Sequence, residues 1–195
     1  MKPRGNQADH AARVVGEPTR AALLNLPTGQ GKTSLSLFIA EKLSAKTVLL
    51  VAPLNTRDGW KRHVAAILPD LPFRVIDSAH KDEFTALQAN EPGVYYITKD
   101  YFALSGTSTP VKIREDGTQT KGRMQTFDWT KVAPDLMVFD ESHMGTNRKT
   151  SVYKTLVKPK ARFKLAMSAT PAGNRFDGLW ETTRWLWPDL IERSK

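Results

Sequence analysis

The sequence predicts an α/β domain: a central, mostly parallel sheet with helices on both faces and a ligand site at its carboxyl edge. Three observations predict it. Short apolar runs recur along the chain, stretches with helical spacing separate them, and a glycine-rich segment ending in Lys32-Thr33 joins the first run to the first such stretch.

The runs fall at 21–26, 47–52, 73–76, 94–98, 136–139 and 163–167. They are rich in Val, Leu, Ile, Phe and Tyr and apolar at successive positions, as a strand buried on both faces requires. After the first run, Leu35, Phe38, Ile39 and Leu43 recur at three and four residues, which predicts an amphipathic helix. After the second, Trp60, Val64, Ile67 and Leu68 do the same, with Asn55 or Thr56 as a candidate N-cap. Two regions break the rhythm. Residues 105–126 carry Gly106, Pro110, Gly117 and Gly122 and predict an inserted hairpin or loop. Residues 148–164 hold seven basic and no acidic side chains, which reads either as a solvated helix face or as a polyanion-facing patch.

Composition narrows the function classes. The chain has 195 residues, the size of one domain. Its 29 Lys and Arg exceed 20 Asp and Glu by nine, which favours a polyanionic partner. There is no cysteine, so a disulfide framework and a thiolate metal site are excluded. No apolar stretch is long enough to span a bilayer. The expectation is a cytoplasmic protein without a membrane partner, and the compact, cysteine-free sequence suits a bacterial or bacteriophage source.

The chemistry begins at Leu26-Pro27-Thr28-Gly29-Gln30-Gly31-Lys32-Thr33, which follows a predicted strand and opens a predicted helix. Gly29 and Gly31 let the backbone curl so that successive amides face one anion, and the helix adds its positive N-terminal end. Lys32 can reach the β- and γ-phosphates of ATP, and the Thr33 hydroxyl can hold Mg²⁺. The candidate nucleotide-binding set is therefore Pro27, Thr28, Gly29, Gln30, Gly31, Lys32, Thr33 and Ser34. About a hundred residues on, Phe139-Asp140-Glu141-Ser142-His143 closes a buried run. Adjacent carboxylates at a strand mouth are costly unless a cation or substrate meets them. Asp140 is the candidate Mg²⁺ ligand, and Glu141 the group that orients and deprotonates the attacking water. A third segment, Ser168-Ala169-Thr170-Pro171, closes the last run.

In this order and spacing the three segments resemble motifs I, II and III of superfamily 2 helicases and translocases, the DEAD/DEAH-box-like proteins. The resemblance implies a RecA-like P-loop NTPase fold over residues 1–195. It also implies that Gln7, in Pro3-Arg4-Gly5-Asn6-Gln7, reads adenine, that His143 stands with Lys32, Asp140 and Glu141 in the catalytic set, and that Ser168 and Thr170 couple nucleotide state to nucleic acid. Val51-Ala52-Pro53-Leu54 resembles motif Ia and Ile97-Thr98 motif Ib, which makes Asn55 and Thr98 candidate nucleic-acid contacts. Trp60, Asn147, Asn174, Leu179-Trp180 and Leu186-Trp187-Pro188-Asp189-Leu190 are similar to the Swi/Snf-type branch. Ser142 departs from the family's common alanine, Ser-Ala-Thr from the branch's Thr-Gly-Thr, and Leu26 from the usual Gly or Ala. The second RecA-like domain of the motor members is absent from these residues and is expected in cis or in trans. The implied partner is DNA, with RNA possible. A nucleotide-dependent adaptor without turnover and a small P-loop phosphotransferase are the alternative readings.

Overall fold

The computed structural model describes residues 1–108, 126–145, 148–170 and 176–189. Six strands, β1 (Ala21–Asn25), β2 (Thr47–Ala52), β3 (Phe73–Ile76), β4 (Gly93–Thr98), β5 (Leu136–Phe139) and β6 (Phe163–Ser168), form one sheet in the order β1-β6-β5-β2-β4-β3. Every pairing is parallel. All six predicted runs are strands, with ends displaced by no more than one residue.

Alternation along each strand divides the core in two. Val48, Leu50, Val94, Tyr96, Leu136, Val138 and Leu165 face α2 (Lys32–Lys42) and α3 (Arg57–Ile67), where Leu35, Phe38, Trp60 and Val64 meet them. Leu49, Val51, Tyr95, Ile97, Met137, Phe139 and Ala166 face the other way. There they meet Phe84 of α4 (Asp82–Gln88), Phe102 of α5 (Lys99–Gly106), Leu156 of α6 (Ser151–Leu156) and Trp185 of α7 (Phe176–Leu186). A fully buried side chain of this size contributes about 1.5–3 kcal/mol, so neither face of the sheet can be stripped of its helices. On the first face, α1 (Gln7–Val15) packs on α2 and carries Gln7 as its first residue.

At the amino end of the sheet the Asp135 carboxylate accepts from Lys46 N (2.8 Å), Thr47 N (3.1 Å) and the Thr47 hydroxyl (3.3 Å), while Asp135 N donates to Thr47 Oγ1 (3.0 Å). These bonds lock the starts of β2 and β5 in register.

Three expectations need correction. The helix after β2 has no side-chain N-cap: Asn55 and Thr56 lie in a 3₁₀ turn, Leu54–Thr56, and the Thr56 hydroxyl donates to Pro53 O (2.7 Å). The region expected to form an insertion begins later than 105, because Ser105 and Gly106 still belong to α5; residues 109–125 lie outside those described. Its base is closed by Thr126 N and Phe127 N, which both donate to Ser105 O (2.9 and 3.0 Å). Beneath that base Phe84 stacks on Phe127 at 4.1 Å, and Trp129 meets Phe84 and Phe102 edge-on. The basic stretch 148–164, thirdly, does not form one face. Lys158 Nζ donates to Gly106 O, and Lys160 and Arg162 flank the amino end of β6, opposite the carboxyl edge.

Candidate nucleotide and nucleic-acid site

Strand order sets the site. Read along the carboxyl edge, the segments after β1, β6, β5, β2 and β4 are the phosphate loop, Ser168-Ala169-Thr170, Asp140-Glu141, Pro53-Leu54-Asn55 and the Thr98 turn. Segments far apart in sequence thus lie side by side where an α/β sheet binds its ligands.

In the phosphate loop Gly29 and Gly31 hold φ of 81° and 76°, the left-handed region that an L side chain resists. A Cβ on Gly31 would come within 2.5 Å of Gln7 Nε2, so the loop and α1 meet at a glycine for lack of room. Gln7 is held at both ends: its Oε1 accepts from Arg4 N (2.9 Å) and its Nε2 donates to Gly31 O (3.5 Å). Between them opens a cavity of about 650 Å³, lined by Gln7, His10, Gly29, Gln30, Ser34 and His63 among others. Pro27 and Thr28 are exposed at the loop's tip. Lys32 starts α2, and its ammonium donates to Leu26 O (2.7 Å) and Pro27 O (3.2 Å), which turns it inward across the loop. Thr33 follows, half-buried.

The acidic pair is less ordinary. Asp140 is 7% exposed. One carboxylate oxygen accepts from the Trp60 indole (3.3 Å) and the other from Glu141 N (2.9 Å). Burial raises the Asp140 pKa, the neighbouring Glu141 charge raises it further, and the two donors and Lys99 oppose both. Asp140 is thus a buried carboxylate whose charge is only partly offset by Trp60, Glu141 N and Lys99. Glu141 has φ of 47°, a left-handed conformation that costs a non-glycine residue about 1–3 kcal/mol. Among the described residues no cluster of three or more His, Asp or Glu is poised to hold a metal alone.

From Glu141 a line of contacts runs to β6. His143 Nδ1 lies 3.3 Å from Glu141 Oε2 and 2.9 Å from Ser168 Oγ, and Ser168 Oγ accepts from Thr170 N (3.0 Å). His143 is thus brought between the acidic pair and the Ser-Ala-Thr segment. Asn55 is exposed beyond β2. Thr98 caps α5 by accepting from Tyr101 N (3.2 Å), and it pairs in register with Ala52, so the two lie at neighbouring strand ends. Asn147, Pro171, Asn174 and Leu190 lie outside the described residues.

Two residues escaped sequence reasoning as parts of the site. Trp60 was visible as a helix-face residue and as a family-like position, but its bond to Asp140 spans 80 residues. Lys99 is 8% exposed, and its ammonium donates to Glu141 O (3.2 Å). Burial lowers the Lys99 pKa against the pull of Asp140 and Glu141. A lone lysine beside a strand signals nothing in sequence, because lysines are mostly solvated.

Comparison with known proteins agrees with this geometry. Residues 1–173 match the family model described as "Type III restriction enzyme, res subunit". Among curated proteins, the transcriptional regulator ATRX homolog of Drosophila melanogaster is 24% identical over 195 residues, covering 92% of this chain and 15% of the relative. The ATP-dependent helicase fft1 of Schizosaccharomyces pombe is 23% identical over 170 residues, covering 85% and 16%. The SWI2/SNF2 ATPase core of Sulfolobus solfataricus, solved in complex with dsDNA, superposes with a TM-score of 0.74 at 19% identity, covering 98% of this chain and 37% of that one. The fold is therefore that of a RecA-like ATPase core. The chain spans under a fifth of the length of the curated relatives it matches.

Proposed function

This chain belongs to the type III restriction enzyme, res subunit family, and on that premise we propose that it is the ATP-binding half of an ATP-dependent nucleic-acid helicase or translocase. The observation that carries the reading is the edge order: phosphate loop, Ser-Ala-Thr segment and acidic pair occupy adjacent strand ends. A single RecA-like domain, 1–195, accounts for these residues, and a second such domain, in cis or in trans, completes the motor.

The amides of 29–33 and the Lys32 ammonium take the phosphates, with Pro27, Thr28, Gln30 and Ser34 shaping the cradle and Gln7 closing over the base. The Thr33 hydroxyl and Asp140 carboxylate are the oxygens that would hold Mg²⁺, which when bound neutralises charge spreading over the γ-phosphate. Lys32 exchanges its bonds to Leu26 and Pro27 carbonyls for phosphate oxygens. Glu141 orients a water and takes its proton. His143, Ser168 and Thr170 carry the state of that carboxylate towards β6. Asn55 and Thr98 meet the nucleic-acid backbone, where contacts give position without sequence. DNA is the partner we favour, because the superposed archaeal core was solved with dsDNA; RNA is the other outcome. We propose a cytoplasmic protein of bacterial or bacteriophage source, a reading supported by the compact, cysteine-free sequence.

Calorimetry on Lys32→Ala tests the site. ATP affinity should fall below detection, since the phosphates lose their charge partner. An affinity equal to wild type would show that the loop is not the phosphate site.

A further inference from the structure

We infer that Lys99 is a positioning residue that ties the nucleic-acid-facing start of α5 to the backbone of Glu141, so that occupancy of the Thr98 edge is felt at the water-orienting carboxylate. The inference rests on the functional reading above and extends it to a residue outside the family-like motifs.

Glu141 is held in a left-handed conformation, and such a residue persists only where its surroundings over-determine it. Three contacts do so. Its amide donates to Asp140 Oδ1, its side chain lies against His143, and its carbonyl accepts from Lys99. The first two come from the same loop. Among the described residues, the third alone reaches in from another strand and helix. Lys99 is the first residue of α5, directly after Thr98, and its ammonium also lies 5.8 Å from the centre of the Phe139 ring, one residue before Asp140. The ammonium of a lysine that is 8% exposed as a residue loses much of its hydration, and that loss is tolerated where carbonyl, ring and carboxylate charge replace it. Because Thr98 is the N-cap, a phosphate drawing on its hydroxyl moves the end of α5 that bears Lys99. Trp60 gives Asp140 a similar tether to α3, but it is a rigid core ring, not an arm rooted beside a contact residue.

The test is amide hydrogen exchange on the 195-residue chain, read at Glu141 with and without a short DNA duplex. In Lys99→Met the Glu141 amide should exchange about tenfold faster or more, while the amides of β2 and β4 are unchanged; Lys99→Arg should restore protection. A general loss of stability would instead speed all of them alike. In wild type the duplex should slow Glu141 exchange further, by about threefold or more, and in Lys99→Met it should bind equally well without that effect. If Lys99→Met does not fold, Lys99→Gln, which is shorter and uncharged, should show the same local loss. Unchanged Glu141 exchange in a folded variant overturns the proposal, as does duplex-induced protection that survives the loss of the ammonium. A wild-type chain that binds no duplex counts against the nucleic-acid reading, and the duplex-free comparison still decides the tether.

Discussion

At the scale of single residues, charge and backbone conformation divide the labour. Glu141→Gln should leave ATP affinity within about twofold of wild type and remove turnover, because an amide keeps the shape and hydrogen-bond reach of the carboxylate but cannot take a proton. Calorimetry beside a phosphate-release assay separates the two effects. Gly31→Ala should cost about 1–2 kcal/mol from its left-handed φ alone, and the added methyl must also displace the Gln7 amide. In a chain of this length that corresponds to a melting point lower by about 2–8 °C, together with weaker nucleotide binding. A variant that melts with wild type would show that the loop relaxes to a conformation any residue tolerates. The glycines, Lys32 and the acidic pair were legible in sequence because their function is local: a loop closes on itself, and two carboxylates end one strand. The indole on Asp140 and the ammonium on Glu141 were not, since each joins residues at least 42 positions apart.

Between elements, the amino end of the sheet gives a contrast to its carboxyl end. Asp135→Ala leaves Lys46 N and the buried Thr47 N without their acceptor, and charge-assisted bonds of this kind are worth about 1.5–3 kcal/mol each. We expect a loss of at least about 2 kcal/mol in urea unfolding with nucleotide affinity unchanged, since the carboxylate sits at the end of the sheet remote from the phosphate loop. An unchanged urea midpoint would mean that strand registry does not depend on this lock. The same geography bears on the basic stretch. Lys160→Glu should leave nucleic-acid affinity and its salt dependence as they were, because a lost phosphate contact would lower the log–log slope by about one unit and Lys160 lies by the amino end of β6, at the opposite end of the sheet from Asn55 and Thr98. Strands were read almost to the residue because apolarity at every position has one structural meaning in a chain of this kind. Helices were read less well. The helix α1 carries Ala11, Val14 and Val15 at helical spacing and packs them against the core beside α2, but at nine residues it is too short to stand out as a periodic segment. Likewise Phe127 and Trp129 lie close to a glycine-rich stretch that reads as loop, and only the fold brings them under Phe84.

For residues 1–195 taken alone, the proposed reading as half of a nucleotide site carries its own expectation. Phosphoryl transfer spreads negative charge over the γ-phosphate, and the arginine that commonly completes its neutralisation is worth about 10³ to 10⁵ in rate. The arginines at 175 and 193 lie outside the described residues, and Arg184 sits on α7, which packs on the 3₁₀ turn Ser142–Gly145 and on β6 and β1. Turnover by the monomer should therefore be very slow with or without DNA. A rate of about one per second or faster, unchanged on dilution and lost in Glu141→Gln, would mean that one domain suffices.

Parallel pairing has a last consequence, for how the chain comes into being. Among the described strands, the one that launches the phosphate loop, β1, pairs with β6 alone, whose residues follow it by about 140 positions. Ribosomes add roughly 5–20 residues per second, so a nascent β1 waits on the order of ten seconds for its neighbour. Meanwhile β2, β4 and β3, close in sequence, can already form a sheet with α3. The nucleotide loop is thus made early in synthesis and is among the last parts of the site to be set. A nascent chain stalled before residue 163 should hold no ATP, however much of its sheet has formed, and release of the final strand is the event that switches binding on.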